Sequence, residues 1–234
     1  MAKMVGLNLV IKLGWMKKAI SLLPENLPEA EYRKELDEHL AFEIDSPTNR
    51  RKAREIMMRV WYQDSEGVEK LQQRGRELIQ KYPDQLSAVG WCMIPLAYPV
   101  FADYAKLMGK MFEFQDVITT TQIKQKMFDE LGERNLIEFA TTKVISTMKE
   151  LGAVRSVQTG KHEAVVSSIA KEEVVAFMVE VAMFLGGSSY YAFSTLTEFS
   201  FLFPFKYRVT KEQVMQDERF TLSTFDATLS VALK

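Results

Sequence analysis

The chain has 234 residues, 47% of them hydrophobic and 26% charged, so it can bury one large core or two to three small ones. Its formal net charge of −1 excludes a protein that is basic all over, though not a local basic face, since phosphate contact depends on where charges sit. The single Cys92 excludes an internal disulfide and fits a reducing cytoplasm.

The first third reads as helix after helix. The opening MAKMVGLNLVIKLGW has an apolar patch broken by Lys12 and no small-residue cleavage site, so no secretory leader is expected. Residues 9–23, LVIKLGWMKKAISLL, predict a helix that Pro24 ends. In residues 29–45, Tyr32, Leu36 and Leu40 recur every four positions with charge elsewhere, the pattern of a surface helix with one apolar stripe. Ser46-Pro47 is a strong helix start, a capping hydroxyl followed by a proline at the first helical position. Behind it Ala53, Ile56, Met57, Val60 and Trp61 complete one buried face. A further helix is predicted over 68–82, before Pro83.

Residues 90–101, GWCMIPLAYPVF, carry Pro95 and Pro99 and suit a buried connector between domains better than one long helix. From Phe101 the pattern changes. A helix of about a dozen residues leads to one that Thr119 or Thr120 can cap and that ends near Gly132. A longer helix follows over 133–152, with Ile137, Ala140, Val144, Met148 and Leu151 as its apolar stripe. After Gly152 the period falls towards two, and AVRSVQTGKHEAVVSSI predicts a hairpin around Thr159-Gly160. Helix, capped helix, longer helix and hairpin is the order of a winged helix-turn-helix. Beyond it come a helix over 171–185, turns at Gly186-Gly187, and an alternating FTLSTFDATLSVALK that predicts a final strand pair. Glu180 interrupts the apolar run 174–185, and Thr195, Thr197 and Glu198 interrupt the next, so both are expected to be buried core segments of a protein that does not span a membrane.

The predicted class is mainly α. A helical domain over 1–95 has helix-turn-helix-like packing, a winged-helix-like unit spans 96–170, and a small α/β part spans 171–234.

Phosphate-loop, dinucleotide-turn and zinc-ligand patterns are missing from the sequence, so no enzyme and no cofactor are expected. His39 sits among Glu35, Asp37 and Glu38 and reads as a surface histidine, and Cys92 reads as a buried structural thiol. Nucleic acid has two candidate sites. The stretch SPTNRRKAREIMMRVWYQ, residues 46–63, holds five Arg or Lys residues and one acid, crowded at a helix start whose dipole disfavours cations. A phosphate there would bring together Ser46, Thr48, Arg50, Arg51, Lys52 and Arg54, with Arg59 one turn further on. The bland alternative is that Glu43, Asp45 and Glu55 pair with these arginines on a solvated face, and taken alone the stretch leans that way. The second candidate is the outer face of the 133–152 helix, with Arg134, Asn135, Thr142, Lys143, Ser146 and Lys149, together with Thr159, Lys161 and His162 at the hairpin tip. Glu133, Glu138 and Glu150 dilute that field.

Three blocks, SPTNRRKAREIMMRV, WCMIPLAYPVFADYAKLMG and ITTTQIKQKMFDELGERNLIEFATTKVISTMKELGAV, together with the strand-like C-terminus, resemble the BrxA family, small accessory proteins of bacteriophage-exclusion (BREX) defence systems. The resemblance implies a mostly helical, non-enzymatic protein with helix-turn-helix-like parts that binds double-stranded DNA and works beside other defence proteins. Beside that texture, the basic helix becomes the first choice of contact surface. The alternative is a protein–protein adaptor that docks through the winged unit and the aromatic-rich segment 190–205.

Overall fold

The computed structural model describes residues 6–132, 135–225 and 228–234. The chain opens with α1 (Leu13–Ser21), α2 (Glu29–Ala41), α3 (Pro47–Met57), α4 (Glu69–Lys81), α5 (Leu86–Ala97) and α6 (Val100–Phe112). There follow β1 (Val117–Thr119), α7 (Thr120–Leu131), α8 (Asn135–Glu150), β2 (Val154–Gln158) and β3 (Lys161–Ala164). The remainder is β4 (Ser167–Ser168), α9 (Glu172–Gly186), β5 (Tyr191–Ala192), β6 (Phe205–Lys206), α10 (Lys211–Gln216), β7 (Phe220–Phe225) and β8 (Thr228–Leu233). The protein is mainly helical with a small sheet-containing C-terminal region. Among the described residues no helix is long and apolar enough to cross a membrane.

The helical periods of the first third map onto buried faces. Tyr32, Leu36 and Leu40 of α2 are all buried, as are Ala53, Ile56 and Met57 of α3. A π-helical turn, Met58–Tyr62, extends α3 and carries Val60 and Trp61 into the same core. Helix α1 starts later than its apolar pattern predicts, because the chain before it is held from outside. Ile11 N–H donates to Thr147 Oγ1 (2.9 Å) and Leu13 N–H to Glu150 Oε2 (3.2 Å), both on α8. An α-helix leaves its first N–H groups without internal partners, and here α8 supplies one.

The segment expected to be a connector rather than one long helix holds the end of α5 and the start of α6, broken at Tyr98-Pro99. α5 continues through Pro95 to Ala97, and Tyr98 N–H still bonds Ile94 C=O at 2.8 Å. Pro95 removes only the bond its own N–H would make, close to the helix end. Its neighbours are buried throughout, and that burial outweighs the local loss.

One apolar core runs from Leu7 to Phe205, and a second group, including Val175, Val179, Val214, Phe220 and Val231, lies beneath the C-terminal sheet. Helix α9 serves both, with Phe177 and Met178 in the first and Val175 and Val179 in the second. A helix packed on two sides is apolar all round, which explains its membrane-like composition. Its Glu180 is 8% exposed and paired with Arg74 of α4 and with Arg219 before β7. A buried carboxylate is tolerated only with such partners.

The segment 190–205, proposed as a docking face on sequence grounds, buries its Phe201, Leu202 and Phe205 and leaves Tyr190 66% exposed. Phe201, Phe203 and Phe205 ring Trp91 at centroid distances of 6.4, 5.4 and 5.8 Å, and Trp91 Nε1 donates to Phe201 C=O at 2.9 Å. Helix α6 meets this segment through Gly109, where an added Cβ would lie 2.0 Å from Ser200 C=O, so only glycine permits the approach.

Three small sheets complete the fold, and β1, β4, β5 and β6 are too short for sequence alternation to reveal. The antiparallel sheet β1-β3-β2 backs α7 and α8, β4 pairs with β6 in parallel, and β5-β8-β7 is antiparallel.

Candidate nucleic-acid interface

Helix α3 begins as its sequence predicts. Ser46 Oγ accepts from Asn49 N–H at 3.4 Å, and Pro47 occupies the first turn. Its arginines do not converge on one point in front of that end. Arg50 Nε lies 3.1 Å from Asp37 Oδ2 and Arg54 Nη1 lies 2.9 Å from Asp37 Oδ1, so one carboxylate of α2 holds two guanidiniums. Arg54 also reaches Glu55 at 3.4 Å, and Glu55 bonds Arg33 of α2. Arg59 bonds the Tyr98 hydroxyl. Arg50 and Arg54 thus join α2 to α3, and Arg59 joins the π-helical turn to the end of α5.

Of the partners that sequence proximity suggested, Glu55 does reach Arg54, whereas Glu43 does not pair with these arginines. Glu43 turns to α1, where Lys12 Nζ at 2.8 Å and Trp15 Nε1 at 3.1 Å bond its carboxylate. The Lys12 bond, then the Trp15 bond, hold its pKa below the ordinary glutamate value against the opposing effect of burial. Asp37, two turns back on α2, does the work instead. On α3 that leaves Ser46, Thr48, Arg51 and Lys52 exposed, the two cations with no ion-pair partner among the described residues.

The second candidate surface is built differently. Thr119 caps α7 reciprocally, its Oγ1 accepting from Gln122 N–H (3.1 Å) while Gln122 Oε1 accepts from Thr119 N–H (2.7 Å). That fixes the turn from β1 into α7. Helix α8 buries Ile137, Ala140, Val144, Ile145 and Met148, and Leu151 just beyond it is buried too. The opposite face leaves Thr142 exposed and Lys143, Ser146 and Lys149 half-exposed. Arg134 lies outside the described residues, as do the side chain of Asn135 and Glu133. Lys149 Nζ donates to Ser156 Oγ at 2.6 Å, joining the end of α8 to β2.

Two of the three acids expected to dilute this face bond other elements. Glu138 pairs with Lys124 of α7 at 3.0 Å, and Glu150 accepts from the start of α1. On the hairpin, Glu163 pairs with Arg155 at 2.7 Å. Lys126, Lys143 and Lys161 have no ion-pair partner among the described residues. At the hairpin tip Thr159 and Lys161 are exposed. His162 is not available there: it is 3% exposed, and its Nε2 lies 2.8 Å from Thr120 Oγ1 at the start of α7. Burial, reinforced by the nearby Lys149 charge, lowers its pKa and keeps the ring neutral.

Sequence reasoning missed Lys126 and Arg155, and it missed Phe139, which stands 68% exposed on α8. The i, i+3 and i, i+4 steps from Phe139 to Thr142 and Lys143 could have placed it on the outer face. Among the described residues no group of three or more His, Cys, Asp or Glu could hold a metal ion, and the Cys92 thiol is pushed up and kept protonated by complete burial. No family model, curated protein or solved structure matches this chain.

Proposed function

We propose that the protein binds double-stranded DNA, without catalysing a reaction, through the unit α6–β1–α7–α8–β2–β3. Its helix order and β1-β3-β2 sheet support a winged helix-turn-helix, in which α8 enters the major groove and the β2–β3 hairpin rests on the adjacent backbone. The observation that carries the reading is that α8 points Thr142, Lys143, Ser146 and Lys149 outward while Glu138 and Glu150 are bonded away from that face. Lys143 and Lys161 supply phosphate contacts, and Thr142 and Ser146 hydroxyls suit base edges or phosphates. Thr48, Arg51 and Lys52 on α3 form an auxiliary electrostatic patch. The resemblance to the BrxA family points the same way, towards an accessory role in a multi-component, cytoplasmic phage-defence system.

Binding of this kind weakens steeply with salt, because each neutralised phosphate releases counterions. Fluorescence anisotropy of a labelled random duplex, titrated at low and at physiological ionic strength, tests it. A transition at low salt that moves to much higher protein concentration at physiological salt is expected, and no transition with micromolar protein at low salt overturns the proposal.

A protein-binding reading is favoured by one observation. Phe139 and Val157, on the helix and the hairpin of the same unit, are 68% and 46% exposed. If that reading holds, Phe139→Ser abolishes capture of a neighbouring defence protein, and the wild type shows no duplex binding.

A further inference from the structure

We propose that strand β7 is a self-association edge, through which two copies of the chain pair antiparallel into a continuous sheet of order β5-β8-β7-β7-β8-β5.

β7 lies at the edge of its sheet, bonded on one side only, to β8. Lys234 N–H donates to Arg219 C=O at 3.0 Å, so residues 219 and 234 form a bonded pair just beyond the ladder. In an antiparallel ladder bonded and non-bonded pairs alternate. Thr221, Ser223 and Phe225 therefore direct their backbone groups to β8, and Phe220, Leu222 and Thr224 direct theirs outward. Phe220 N–H is used locally by Asp217 C=O at 3.1 Å. Among the described residues no bond between elements engages the backbone of Leu222 or Thr224. Two donors and two acceptors thus face solvent at alternate positions.

The other edges are blunted and this one is not. β1 has three residues and β5 two, too short to template a partner. β2 has five, but it carries the charged Arg155 and its register breaks between Ser156 and Gln158. A bulge and a charge are the usual protections of an edge strand. β7 runs six residues, FTLSTF, with no charge and no proline, and its register is unbroken from Phe220↔Leu233 to Phe225↔Thr228. Helix α10, which packs along β7, adds Met215 at 64% exposure beside it.

A second copy is the occupant that fits. An antiparallel edge is self-complementary under a two-fold axis, since the outward donors and acceptors of one strand meet the acceptors and donors of its copy. With no charge on residues 220–225, nothing in the strand repels its twin. Six residues form a short interface, so the dimer is weak and concentration-dependent.

Sedimentation equilibrium of the full chain without DNA, from low micromolar to several hundred micromolar, tests this. The expected result is an average mass rising from the 26.9 kDa of one chain towards twice that value. Thr224→Pro deletes one outward N–H that the β7–β8 ladder does not use, and Ser223→Lys sets two cations near the two-fold axis while leaving the backbone intact. Both variants should keep the far-UV circular dichroism of the wild type and stay at monomer mass over the same range. A wild type that remains monomeric at the highest concentration, or a folded Ser223→Lys that dimerises as readily as the wild type, overturns the proposal.

Discussion

Helix α3 and helix α8 make opposite use of charge. In α3 a dense run of arginines looks like a binding surface, yet Asp37 pairs with two of them across the α2–α3 contact and Tyr98 holds a third. In α8 the cations are sparser and mixed with acids, yet Glu138 pairs with Lys124, Glu150 accepts from the start of α1, and Lys143 has no ion-pair partner among the described residues. Charge density along the chain and charge available at the surface are different quantities. What separates them is whether a counter-charge on a neighbouring element comes within about 4 Å, where even a surface pair is worth up to roughly 1 kcal/mol.

The comparison breaks most visibly at α8 and the hairpin. Lys143→Glu with Lys161→Glu should lower duplex affinity about 100-fold at low salt, since two phosphate contacts are lost and two repulsions gained. Anisotropy titration reads this directly. Asp37→Asn should act in the opposite sense on the other region. It frees Arg50 and Arg54, raising duplex affinity severalfold, and costs roughly 1 kcal/mol of stability because the pair is only partly buried. Urea denaturation beside the same titration checks both effects.

A third prediction concerns acid. His162 is neutral in the native state with its pKa depressed, so the unfolded chain binds the proton more readily. Its contribution to stability is complete above the ordinary value of 6.5 and is lost as pH falls from there through the lower folded value. Thermal melts of the wild type should decline across that window more steeply than those of His162→Gln. Parallel curves would show that the ring under the hairpin is not buried neutral. The smallest effect is expected from Arg51→Glu with Lys52→Glu, at most about fivefold in duplex affinity, because these exposed cations form only an auxiliary patch.

Much of the helical scaffold was legible in the sequence. Periodicity gave the buried faces of α2, α3 and α8, Ser46-Pro47 gave the start of α3, and the alternation after Gly152 and in the last fifteen residues gave the hairpins β2–β3 and β7–β8. Pro95 misled because the cost of one missing bond is local, whereas the burial that keeps α5 helical comes from the whole core. His162 misled for the same reason, since a hairpin tip in sequence says nothing of Thr120 lying beneath it. The pairing of Asp37 with Arg50 and Arg54 spans a loop between two helices, and no short-range pattern marks it. Free and occupied charges on the candidate site could only be separated in three dimensions.

The most direct test of the central claim is the salt dependence of duplex binding, measured side by side for the wild type, Lys143→Glu/Lys161→Glu and Arg51→Glu/Lys52→Glu. The slope of log affinity against log salt should become shallower by about 2 for the first double variant and by less than about 1 for the second. The reverse pattern, with the slope lost on α3 and kept on α8, would contradict the placement of the interface.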